Sequence, residues 1–148
     1  MQILPYSTAH RAQCLAAFDS NVGQYFAPSE REEFIEYLDS LTAEPEYFVC
    51  LKNDQLVACG GIGIHAETGS LAWGLVHRDF HGQGIGTLLT DYRLSCLKAN
   101  SSVQVVKIET SQHTEGFYNK RGFVATKSVA NGFGAGIDCV SMALSFAR

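Results

Sequence analysis

A chain of 148 residues fits one domain, spanning 1–148, with a real core and little room for a second. Its 46% hydrophobic and 18% charged content is that of a folded soluble chain, and a net charge of −4 argues against a nucleic-acid partner. No run approaches the ~18 apolar residues of a membrane span, so no membrane partner is expected. The start MQILPYSTAH lacks the basic and apolar stretches of a signal peptide, so the expected location is the cytoplasm. Five cysteines (14, 50, 59, 96, 139) are scattered without C-x-x-C spacing, so buried reduced thiols are expected in place of disulfides or a zinc site.

In chain order, residues 2–4 form a short extended start stopped by Pro5. Ser7 is placed to cap a first helix over 8–20, with Ala12, Leu15 and Ala16 at helical spacing. A polar loop carrying Tyr25 and Phe26 follows. Ser29 and Glu32 then read as a capping box for a helix over 30–41. Its Phe34, Leu38 and Leu41 should face inward; Glu32, Glu33, Glu36 and Asp39 should form a solvated face. Residues 47–52 and 56–64 read as strands joined by a hairpin turn at Asn53-Asp54. Gly60, Gly61 and Gly63 weaken the second strand unless a bulge or a close backbone accounts for them.

A buried strand over 71–76 leads through a polar turn into His81-Gly82-Gln83-Gly84-Ile85-Gly86. Ile85, Leu88, Leu89, Tyr92 and Cys96 then mark one face of a helix that runs to about Ala99. Strand, glycine turn and helix start in that order aim several backbone N–H groups at one spot, which suits a phosphate or pyrophosphate. A strand over 103–110, a short helix over 114–121 stopped at Gly122, and strands over 123–129 and 137–146 complete the chain. A glycine-rich loop, 130–138, should link the last two strands.

The glycines do not make a dinucleotide fingerprint, because Thr87 stands where the third glycine should be. No Gly-Lys-Ser/Thr follows for a P-loop. The stretch instead resembles the acyl-CoA binding motif of the GNAT-type N-acetyltransferases, Arg/Gln-x-x-Gly-x-Gly/Ala, with Gly84 and Gly86 in the small positions. His81 stands where that family has Arg or Gln. Phe117-Tyr118-Asn119-Lys120-Arg121-Gly122-Phe123 resembles the family's second signature. The resemblance implies an α/β (α+β mixed) fold: a central mixed, mostly antiparallel sheet of about seven strands flanked by about four helices. The order read above, β-α-α-β-β-β-α-β-α-β-β, agrees.

The resemblance also implies a chemistry, transfer of an acetyl group from acetyl-CoA to a primary amine of a small molecule or peptide. It lays the pantetheine arm along Leu75 and Val76, with a backbone N–H near Leu75 as oxyanion donor. The pyrophosphate goes to the amides of His81, Gly82, Gln83, Gly84, Ile85 and Gly86, with Thr87 next in the helix. Arg78, Lys120 and Arg121 offer nearby positive charge, and Gln112 stands where an Asn often contacts the pantetheine. Tyr118 matches the residue that protonates the leaving thiolate, since an ordinary phenol with a pKa of about 10 keeps its proton at neutral pH. The residues alone leave it equally a packed core tyrosine.

The resemblance implies a carboxylate base on the fourth or fifth strand. No acid lies in 70–76, so Glu109 on the following strand is the candidate, with His113, His65 and Glu67 behind it and a water chain to bulk as the alternative to any dedicated base. A solvated strand-end Glu is the plain alternative. The resemblance also implies that Tyr25, Phe26, Trp73 and the loop 131–137 shape the acceptor pocket; the residues alone read equally as packing residues. No metal is expected, because His77 and His81 sit on a turn with no further ligand nearby. A homodimer is left open. A non-catalytic acyl-CoA sensor on the same fold is the alternative function.

Overall fold

Asn53 and Asp54 both take left-handed backbone, φ 51° and 63°, as a two-residue hairpin turn requires. They join β2 (Tyr47–Lys52) to β3 (Gln55–His65) in a computed structural model that describes residues 1–41 and 46–148. The other strands are β1 (Gln2–Pro5), β4 (Thr68–Val76), β5 (Val105–Thr110), β6 (Val124–Gly134) and β7 (Ile137–Ser145). The helices are α1 (Arg11–Asp19), α2 (Glu30–Asp39), α3 (Ile85–Ala99) and α4 (Glu115–Asn119). The seven strands form one sheet, ordered β1-β2-β3-β4-β5-β7-β6. Every pairing is antiparallel except β4 with β5. The expected mixed architecture is therefore present.

Alternation along β2 places the layers. Tyr47 and Val49 join Phe18, Phe34, Leu38 and Leu75 in the core under α1 and α2. Phe48 and Cys50 point the other way, to Ile85 and Leu89 of α3. Among the described residues no helix is long and apolar enough to cross a membrane, and all five cysteines are free thiols.

One break in the sheet creates the space for a site. The parallel pairing of β4 with β5 covers only Thr68, Ser70 and the residue between them, opposite residues 105–107. Beyond Ser70, β4 stays with β3 while β5 stays with β7 as far as Thr110, so the two strands part like a wedge. A bulge accompanies the parting: Cys59 pairs with Leu75 and Gly61 with Ala72, which leaves Trp73 and Gly74 opposite Gly60. Trp73 has φ 47°, a strained conformation for a bulky residue. The Tyr47 hydroxyl, donating to the Trp73 carbonyl at 2.7 Å, helps to hold it there.

Several local expectations are corrected. The first helix is split into a 3-10 turn, Thr8–His10, and α1. Ser29 does not cap α2; its backbone is already helical (φ −65°, ψ −20°). The Glu30 carboxylate instead accepts from the Ala27 N–H at 2.8 Å, with Pro28 in the position where a helix start tolerates a missing N–H. The glycine-rich loop is mostly strand, because β6 and β7 run on to Gly134 and Ile137. Side chains stitch the irregularity: the Asn131 amide oxygen accepts from Gly136 N at 2.7 Å, and Asp138 accepts from Asn131 N at 2.9 Å. Finally, α3 buries Ile85, Leu89, Thr90, Arg93 and Leu97, while Leu88 (45%) and Tyr92 (39%) are exposed. Its buried stripe carries an arginine, and apolar periodicity alone points to a neighbouring face.

Candidate active site

The wedge between β4 and β5 opens into a cavity of about 1200 Å³. Its walls come from the loop after α1, α2, β4, the turn before α3, the inner face of α3, β5, α4 and the last two strands, β6 and β7. The 3-10 turn Arg78–Phe80 follows β4, and Gly82 and Gly84 then take φ 78° and 79°. Gly84 is the N-cap of α3, so left-handed backbone delivers the chain into the helix with the first-turn N–H groups free. A Cβ at Gly82 or Gly84 would meet nothing within 4 Å, so the space beside both is open. His81, Gly82, Gly84, Ile85, Gly86 and Thr87 all line the cavity, and such a concavity of amides at a helix N-terminus suits an anion.

Leu75 and Val76 line the adjoining wall. The Val76 carbonyl accepts from Asn21 Nδ2 at 2.9 Å and from His81 Nε2 at 2.8 Å, which puts a proton on that ring nitrogen. His77 Nδ1 accepts from Asp79 N at 3.1 Å, so each of these histidines is committed to backbone.

Tyr118 is 7% exposed, between Phe117 and Phe123 at ring-centroid distances of 5.0 and 5.6 Å. It lines the cavity, and its hydroxyl has no hydrogen-bond partner among the described residues. Glu109 lines the same cavity from β5, and one of its oxygens accepts from Cys139 Sγ at 3.0 Å. Burial, then this contact with Glu109, pushes the Cys139 thiol up to about 11. Of the reserve candidates, His113 packs edge-on against Tyr25, while His65 and Glu67 are exposed at the β3–β4 turn and outside the cavity wall.

Tyr25, Phe26 and Trp73 line the cavity together. Phe26 stacks on Phe18 at 4.7 Å, and Trp73 lies 5.1 Å from Phe34 and 6.2 Å from Phe26. Tyr25 sits edge-on to His81 at 5.5 Å and to His113 at 5.9 Å, spanning from the glycine turn to the segment after β5. Of the 131–137 loop, Phe133 reaches the wall.

Four expected residues stand apart from it. Gln83 accepts from Lys52 Nζ at 3.2 Å. Gln112 spends both ends of its amide on the last hairpin, donating to the Gly136 carbonyl and accepting from Asp138 N, each at 2.8 Å. Lys120 is exposed, and Arg121 lies 4.4 Å from the Phe117 ring centre and 3.5 Å from Asp91.

Three wall residues escaped sequence reasoning. Asn21 is buried and leaves Oδ1 without a partner. Glu30 is 5% exposed, and burial raises its carboxyl pKa, partly offset by the Ala27 N–H bond. Arg93 is 1% exposed; the only signal for it is its place in the stripe Ile85, Leu89, Arg93, Leu97, four residues apart.

The comparisons agree with the fold. A family model described as "Acetyltransferase (GNAT) domain" matches residues 13–146. A comparison with curated protein sequences gives no match. Among solved structures, Ard1 from Thermoplasma volcanium is similar at TM-score 0.81 and 16% identity, over 99% of this chain and 98% of that one. The ribosomal-protein-S18-alanine N-acetyltransferase from Escherichia coli is similar at TM-score 0.79 and 18% identity, over 99% and 96%. An aminoglycoside 6'-N-acetyltransferase complexed with coenzyme A is similar at TM-score 0.75 and 18% identity, over 100% and 99%.

Proposed function

Because the chain belongs to the GNAT acetyltransferase family, we propose that it moves the acetyl group of acetyl-CoA directly onto a primary amine, with Tyr118 as general acid. The acceptor is an amine of a small molecule or a peptide. Relatives of the same fold include one that acts on a ribosomal-protein alanine and one that acts on an aminoglycoside, which supports an amine acceptor. One structural relative is complexed with coenzyme A, which supports acetyl-CoA as co-substrate.

The donor's pyrophosphate fits the open amides from His81 to Gly86, with Thr87 in the first turn of α3. Its pantetheine arm enters the wedge beside Leu75 and Val76, where β4 has left β5. A backbone N–H near Leu75 meets the oxyanion formed when the amine attacks the thioester carbonyl. The C–N bond forms, the C–S bond breaks, and the sulfur takes the phenolic proton of Tyr118. Glu109 receives the proton that the amine must lose. Tyr25, Phe26 and Trp73 frame the acceptor. The whole chain, 1–148, acts as one catalytic domain.

The observation that carries this reading is the Tyr118 hydroxyl, which sits in the cavity wall with no partner among the described residues. That oxygen is not among the buried unpartnered atoms of the described residues, so it is open to the cavity and free to meet a ligand there. Tyr118→Phe keeps the ring between Phe117 and Phe123 and removes only the proton donor. We expect kcat to fall by ~10²-fold, within the usual range of general acid catalysis, with acetyl-CoA affinity little changed. A Phe variant at full kcat would return Tyr118 to a packing role and favour an acyl-CoA sensor.

A further inference from the structure

Arg93 heads the largest fully buried side chains, at 1% exposure, and nothing in the reaction above uses it. It rises from α3 toward the bulge of β4, into space that two glycines leave open. A methyl on Gly74 would come within 2.6 Å of its Nη2, and one on Gly60 within 2.9 Å of its Cζ. The guanidinium has five N–H donors, yet its one hydrogen bond among the described residues runs from Nη1 to the Gly61 carbonyl at 3.1 Å. Nε is buried without a partner, and no carboxylate among the described residues pairs with the group.

A lysine so placed could shed its proton, but a guanidinium stays charged. A buried cation with a single neutral acceptor is costly unless an anion completes it. Arg93 and Gly74 both form part of the cavity wall, so a ligand in the wedge can reach the group. Glu30, Glu33 and Glu109, the acids of that wall, make no ion pair with it.

We propose that Arg93 is a carboxylate-binding subsite of the cavity, which reads a carboxylate carried into the wedge by one of the two substrates. A planar carboxylate matches the guanidinium fork and gains charge-assisted hydrogen bonds that a carbonyl cannot supply. The inference rests on the acyl-CoA reading above. Arg93 projects from the helix whose first turn forms the anion cradle, and this places it on the donor's side of the sheet. The substrate class it points to is therefore an acyl-CoA whose acyl chain ends in a carboxylate, taken in addition to acetyl-CoA. The transfer is the same: the C–N bond forms, the C–S bond breaks, and the thiolate leaves with one proton. The other source of the same chemistry is an amino acid acceptor with a free carboxylate.

Calorimetry on the intact protein separates the sources. The donor arm compares succinyl-CoA with its neutral isostere, succinamoyl-CoA. The acceptor arm compares amino acids with their carboxamides, titrated into the CoA complex. A carboxylate preference of at least ~10-fold in either arm is expected, the rough value of a hydrogen bond to a charged group, and it should vanish in Arg93→Met. Each ratio is taken within one protein, so a general loss of affinity cancels. Equal binding of acid and amide in both arms, or a preference that survives Arg93→Met, overturns the proposal. Should the Met variant fail to fold in a thermal melt, the wild-type ratios alone decide. Failure of acetyl-CoA itself to bind would overturn the acetyltransferase reading, which a missing carboxylate preference leaves intact.

Discussion

Gly84 offers a substitution whose two effects can be separated. It sits at φ 79° as the N-cap of α3, and a Cβ there would meet nothing within 4 Å. Gly84→Ala therefore brings no clash inside the protein, only the cost of left-handed backbone, about 1–2 kcal/mol. Gly136 is a matched control: its φ is 78°, its Cβ direction is equally empty, and it lies at the tip of the β6–β7 hairpin. Both alanine variants should lose about 3–8 °C in Tm for a chain of this size. Only Gly84→Ala places a methyl at the amides proposed to hold the pyrophosphate. CoA affinity should then fall at least ~10-fold, or ~1.4 kcal/mol, in that variant alone. Titration calorimetry with CoA and a thermal melt of each variant read the two effects. If Gly84→Ala melts like Gly136→Ala yet binds CoA as wild type does, the cradle lies elsewhere.

Other outcomes follow from single contacts. His81 Nε2 is already spent on the Val76 carbonyl, so His81→Ala should weaken acetyl-CoA by less than ~1.5 kcal/mol; a much larger loss would make the imidazole itself a phosphate ligand. Burial raises the Glu30 carboxyl pKa above its unfolded value. The associated stability is fully present at low pH and is lost as pH rises through the folded pKa. Glu30→Gln should accordingly melt above wild type at neutral pH, with the gap closing below the ordinary carboxylate range; a gap that widens toward acid would reverse the assignment. Burial and Glu109 hold the Cys139 thiol at about 11. Glu109→Ala should therefore speed alkylation of Cys139 at mildly alkaline pH, followed by peptide mass mapping, and an unchanged rate would argue against the contact.

The fold was legible where local chemistry and global pattern agree. Asn53-Asp54 needs left-handed backbone and takes it, and the glycine run after 76 could serve only a turn feeding a helix. Gly60 and Gly74 mark a bulge, but only the third dimension shows that Arg93 occupies the space they leave. Apolar periodicity assumes that the buried face of α3 is wholly apolar, and a buried arginine defeats that assumption. Ser29 and Glu32 match a capping box, yet the bond from Ala27 N to the Glu30 carboxylate secures the start of α2 instead. Gln112 matched a motif position, yet its amide reaches the last hairpin through contacts remote in sequence. Tyr118 and Glu109 both line the cavity, a position that motif and strand alternation indicate without knowledge of their neighbours.

In the proposed reaction the wedge between β4 and β5 brings acetyl-CoA and an amine together for transfer. The most direct measurement is release of free CoA thiol from acetyl-CoA across a panel of primary amines, with the N-acetylated product followed by mass spectrometry. Thiol release should depend on the amine and equal the amide formed, mole for mole. Tight binding of acetyl-CoA without amine-dependent release from any member of the panel would contradict it.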